Sequence, residues 1–119
     1  MDESHKLHFA WLDANMYTDD NKQLLRKIRG INSETMEFVE EDECMRFLGR
    51  GVGDPRQFLF IVSGAFGEKI VPKLHGRENI LAIFVYCGWR EKHEQWAKDY
   101  HKVGDCLSYS YCLMLILII

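Results

Sequence analysis

Asp13, Asn15, Ser63, Gly64 and Gly67 are the residues of this sequence whose types and spacing could hold a ligand. Asp13 and Asn15 follow the apolar segment Leu7-His-Phe-Ala-Trp-Leu12, with Asp19 and Asp20 in the loop beyond. Ser63 closes a second apolar segment and opens Ser63-Gly64-Ala65-Phe66-Gly67. Two glycines before a helix can present backbone N–H groups to an anion, or they can simply turn the chain tightly. Gly64-x-x-Gly67-x-Lys69 is not a P-loop, because it lacks the full spacing and the hydroxyl after the lysine. His75, His93 and His101 are spread over two expected helices, none with a second donor at ligand spacing on its own helix, so no metal or other cofactor is expected. The four cysteines form no C-x-x-C pair. A cysteine–histidine catalytic pair would arise by chance in any chain with four Cys and five His.

The elements that must position these residues follow from hydrophobic pattern. Phe58-Leu-Phe-Ile-Val-Ser63 and Ile80-Leu-Ala-Ile-Phe-Val-Tyr-Cys87 are continuous apolar runs, as expected of strands covered on both faces. Leu7–Leu12 is similar, and Thr35-Met-Glu-Phe-Val39 alternates like a shorter edge strand. Helices are expected from an Asp20 cap through Arg29 with Gly30 as the stop, from Asp42 to Arg50, and from Phe66 to His75, the last kinked by Pro72. A fourth is expected from Arg90 to Lys102, with Trp89, His93, Trp96, Ala97 and Tyr100 on one face and Glu94–Lys98 as an outer pair.

Strand and helix alternate, which predicts an α/β fold: a three-layer α/β/α sandwich on a parallel sheet of about five strands in flavodoxin-like order 2-1-3-4-5, its last helix missing. In such sheets ligands bind beyond the carboxyl ends of the strands, where strand order reverses. That rule puts Asp13 and Ser63 at one crevice.

At 119 residues the chain fits one domain, and its 47% hydrophobic and 28% charged residues are those of a globular protein. A net charge of −3 gives no footprint for nucleic acid. The polar start and unpaired cysteines predict a cytoplasmic protein. From Cys106 to Ile119 no residue is charged, and the end reads Cys112-Leu-Met-Leu-Ile-Leu-Ile-Ile119. That run is too short to span a membrane. We therefore divide the chain into a domain over 1–105 and an apolar tail over 106–119, which is a last strand, a truncated anchor or the product of a mistaken gene boundary.

The layout resembles response-regulator receiver domains. In that family an acidic pair ends the first strand, a phosphate-accepting Asp the third, a hydroxyl residue the fourth and a lysine the fifth. Only Asp13 has a counterpart; Ser63 ends the third strand and Tyr86-Cys87 the fourth. The resemblance thus implies a receiver-like domain without the phosphoryl chemistry. Trp11-Leu-Asp-Ala-Asn15, Ile61-Val-Ser-Gly64, Ile70-Val-Pro72 with His75, Val85-Tyr-Cys87 and Glu94-Gln-Trp-Ala-Lys98 resemble, in that order, the N-terminal module of large invertebrate proteins. Those proteins carry mono-ADP-ribosyltransferase or tetratricopeptide-repeat regions. The likeness covers roughly residues 7–104 and implies an accessory module.

The expected function is a non-catalytic signalling or protein-interaction module, its partner a protein or small ligand held at the Asp13/Ser63 crevice. One alternative is a Toll/interleukin-receptor-like NAD-cleaving enzyme with Glu68 as its catalytic residue, since Glu68 follows the third strand. A second is a membrane-proximal fragment whose tail is the stub of an anchor.

Overall fold

Three segments of this chain have no polar face to turn outward, and they form the middle of one sheet. The computed structural model describes residues 7–49, 53–86, 95–100 and 102–107. In chain order the elements are β1 (Leu7–Leu12), α1 (Asp19–Ile31), β2 (Met36–Phe38), α2 (Glu41–Leu48), β3 (Gln57–Ser63), α3 (Gly64–Leu74), β4 (Ile80–Tyr86) and β5 (Val103–Leu107). Residues 95–97 are also helical. All strand pairs are parallel and the order is β2-β1-β3-β4-β5, the flavodoxin-like arrangement that the alternating pattern predicts.

Period-two alternation sorts each central strand onto two cores. Ala10, Leu12, Phe58, Phe60, Val62, Ile83 and Val85 face one side, under Cys44 and Leu48 of α2, Ile70, Val71 and Leu74 of α3, and Ala97. Phe9, Trp11, Leu59, Ile61 and Phe84 face the other, against Met16 and Leu24, Leu25 and Ile28 of α1. Helices therefore lie on both faces, as right-handed crossovers require when strand order reverses between β1 and β3. Two irregularities interrupt the ladder: Phe58 pairs with Ile80 but Leu59 with Ala82, so Leu81 is bulged out and 49% exposed, and the β4–β5 register shifts between Ile83 and Val85.

Helix ends depart from the expected ones for local reasons. Thr18, not Asp20, caps α1, its Oγ1 accepting the Asn21 N–H at 3.4 Å, while Asp19 and Asp20 sit in the first turn where the helix dipole favours acids. Gly30 does not stop α1. The helix continues to Ile31 and ends at Asn32, whose Nδ2 donates to the Leu7 carbonyl at 2.9 Å and ties the helix end to β1. Helix α2 ends at Gly49 rather than continuing to Arg50. Helix α3 begins at Gly64, so both glycines of the Ser63–Gly67 segment lie inside it, and it continues past Pro72 to Leu74. Near the chain's end, Asp99, Tyr100 and Val103 each donate a backbone N–H to the carbonyl three residues back, closing tight turns that end the helical path before Lys102. The expected Glu94–Lys98 pair, His93, His101 and the tail beyond Leu107 lie outside the described residues. Strand β5 itself runs across the expected boundary at residue 105.

The carboxyl end of α2 is closed by distant side chains. A helix leaves its last carbonyls without intrahelical donors. Here Arg56 Nη2 donates to the Phe47 carbonyl at 2.9 Å, Asn79 Nδ2 to the Leu48 carbonyl at 3.2 Å, and Arg77 Nη1 to the Gly49 carbonyl. Arg56 is itself held by Asp54, with Nη2–Oδ2 at 2.8 Å and Nε–Oδ1 at 3.0 Å, and its guanidinium lies 5.3 Å from the Phe47 ring centre and 5.0 Å from that of Phe58. The hydrogen bond from Arg56 holds the Asp54 carboxyl below the usual carboxylate range.

Gly49 makes this closure possible. Its φ of 70° and ψ of −168° suit glycine alone, and an added Cβ would stand 3.0 Å from Asp54 Oδ2. Gly49→Ala should therefore cost about 1–3 kcal/mol in a urea titration. Gly30→Ala, exposed in α1 with nothing within 4 Å of the new Cβ, should instead stabilise by about 0.4–1 kcal/mol.

Candidate functional site

The carboxyl ends of β1 and β3 are adjacent, since Leu12 pairs with Val62 and the next residues along are Asp13 and Ser63. This is the point where strand order reverses, as the alternating pattern of the sequence predicts.

Asp13 is 4% exposed, and its chain position is fixed by an N–H bond to the Phe38 carbonyl at 3.0 Å. Its carboxylate is engaged on both oxygens. Oδ1 accepts the Asn15 backbone N–H at 2.8 Å, and Oδ2 accepts from Asn21 Nδ2 at 3.4 Å. The same Asn21 amide donates to the Asn15 carbonyl at 2.9 Å. Three residues thus tie the loop after β1 to the first turn of α1. Burial pushes the Asp13 carboxyl up from its ordinary value, opposed in turn by the Asn15 N–H and the Asn21 amide. The fully buried Trp11 indole N–H approaches the carboxyl without closing a hydrogen bond and opposes the rise least.

Asn21 is the member that sequence reasoning missed. It falls on the buried stripe of α1 with Leu24, Leu25 and Ile28, so its signal was a polar residue at an apolar position of the helical period. Asn15 contributes only backbone to the bonds around Asp13, and its side chain is exposed.

Ser63 caps α3, its Oγ accepting the Phe66 N–H at 3.4 Å, which removes one of the donors an anion would need. Gly64 is buried inside the helix start. Gly67 packs against a neighbour: a Cβ there would lie 3.0 Å from Trp96 Cη2 and 3.2 Å from Val62 Cγ1. Its role is close approach of the Trp96 ring to α3, while the chain passes directly from β3 to α3 at Ser63 and Gly64. Glu68 lies on the exposed side of α3, in its second turn.

Chemistry elsewhere is similarly committed. Burial, then the charge of Glu41, pushes the Cys44 thiol up to about 12, which leaves it a poor nucleophile. His75 stacks edge-on to Tyr100 with ring centres 5.3 Å apart. Among the described residues no group of three or more His, Cys, Asp or Glu is placed to hold a metal ion, and no helix is long and apolar enough to cross a membrane.

Two substitutions test these assignments. Asp13 has a folded-state pKa raised above its unfolded value, so its contribution is fully present below the unfolded value and is lost as pH rises through the folded one. The stability of the natural protein relative to Asp13→Asn should therefore fall as pH is raised out of the acid range. A difference that grows with pH would show that hydrogen bonding, not burial, dominates at this carboxyl. Gly67→Ala should destabilise by about 1–3 kcal/mol, by overpacking against Trp96 and Val62, and should reduce the near-ultraviolet signal of Trp96.

No protein-family model, curated protein or solved structure matches this chain, so its fold and the geometry of Asp13, Asn21 and Ser63 are what characterise it.

Proposed function

We propose that this chain is a non-catalytic recognition module of the signalling or protein-interaction kind, receiver-like in layout and accessory in role, working in the cytoplasm. The observation that carries the reading is the state of the Asp13 carboxylate. In a receiver the corresponding acid gives its oxygens to Mg²⁺, a cation that prefers six oxygen ligands in strict octahedral geometry. Here both oxygens are taken by Asn15 and Asn21, so the residue serves as a loop tie. Ser63 and Gly67 add to this reading, since each is engaged in closing or packing α3. The free, buried thiol of Cys44 agrees with a reducing compartment.

The test is chemical. Incubated with acetyl phosphate and Mg²⁺, the protein should form no hydroxylamine-labile acyl phosphate. Incubated with NAD, it should release no nicotinamide above a protein-free blank. Nicotinamide release that disappears in Glu68→Gln would replace this reading with that of an NAD-cleaving enzyme. Acyl phosphate lost in Asp13→Asn would restore the receiver chemistry.

A further inference from the structure

We propose that the end of the molecule opposite the Asp13 crevice holds a binding site for a small phosphomonoester that also carries hydroxyl groups. The site is a groove of about 580 Å³ that runs along α2 from Asp42 in its first turn, past Met45 and Arg46, to Gly49 and Arg77 at the amino ends of the strands. Its volume falls in the range of small-molecule sites, about 300–1,000 Å³.

The charge in this groove runs against that of the chain. The protein carries a net −3, yet two guanidinium groups line one groove. The helix end beside them would ordinarily repel an anion, because unpaired carbonyls make it the negative pole. That pole is already satisfied, with the carbonyls of Phe47, Leu48 and Gly49 accepting from Arg56, Asn79 and Arg77.

Arg77 is held ready. One nitrogen, Nη1, is fixed on the Gly49 carbonyl, and its own backbone carbonyl accepts from Lys102 Nζ. Nε and Nη2 keep their N–H donors. Arg46 makes no ion pair or hydrogen bond with the described residues. Two guanidiniums with free donors match a phosphate dianion, whose oxygens accept bidentate pairs. The remaining lining selects what the phosphate is attached to. Asp42 repels a second anion and accepts from hydroxyl groups, and Met45 gives an apolar wall to a carbon skeleton.

The site is independent of the non-catalytic reading above, since binding here stands whether or not NAD is cleaved. Isothermal titration of the full chain with ribose 5-phosphate tests it, with inorganic phosphate and ribose as comparators. The expected result is saturable one-to-one binding, at least about tenfold tighter than inorganic phosphate and weakened by about tenfold or more in Arg46→Gln, the loss expected for one charge-assisted contact. Asp42→Asn should reduce the preference for the ester over inorganic phosphate, since it removes the hydroxyl acceptor and a charge that repels either anion. Both residues are exposed on α2, so an unchanged urea midpoint will show that each variant is folded. Absence of binding, equal affinity for the ester and inorganic phosphate, or undiminished binding by Arg46→Gln would each overturn the proposal.

Discussion

Strand β3 is buried on both sides, and the rest of the fold answers that constraint. Phe58 through Val62 are at most 2% exposed, alternating between two separate cores. An isolated hairpin or a sheet with one wet face would leave half of these side chains in water, at about 1.5–3 kcal/mol for each large one. Covering both faces demands helices on both, and parallel pairing through crossovers is how a short chain supplies them. The reversal of strand order between β1 and β3 then follows, and with it the position of Asp13 beside Ser63.

The two ends of the sheet solve their polar accounting differently. At the carboxyl end, the loop leaving β1 is closed by its own neighbours, Asp13, Asn15 and Asn21, within eight residues of one another. At the amino end, the carbonyls leaving α2 are met by Arg56, Asn79 and Arg77, the last two from about thirty residues away. The first arrangement uses up its acceptors. The second uses one nitrogen of Arg77 and leaves the others, which is why charge is available at the end where the fold-level rule does not look.

Strands and strand order were legible in the sequence because β3 and β4 are long apolar runs and the helices between them have clear faces. The crevice residues were legible as positions but not as a hydrogen-bond network. Nothing in the order Asp13, Asn15, Asn21 says which donor reaches which oxygen, and the glycines of Ser63–Gly67 look alike in a turn and in a helix packed under Trp96. Helix ends were misplaced where a contact with another element decided them, as at α1, whose own cap Asn32 bonds to the backbone of β1. The amino-end groove was invisible, since it joins α2 to Arg77, 28 residues beyond Gly49.

The central place of β1 also has a consequence during synthesis. Its partner β3 pairs Leu7 with Gln57, fifty residues later in the chain. In a nascent chain α1 can cover Phe9 and Trp11 soon after residue 31 emerges, but the edge of β1 that pairs with β3 stays open until about fifty residues after β1, at about 5–20 residues per second. For those seconds a strand that ends inside the sheet presents an unpaired backbone edge to any other extended chain.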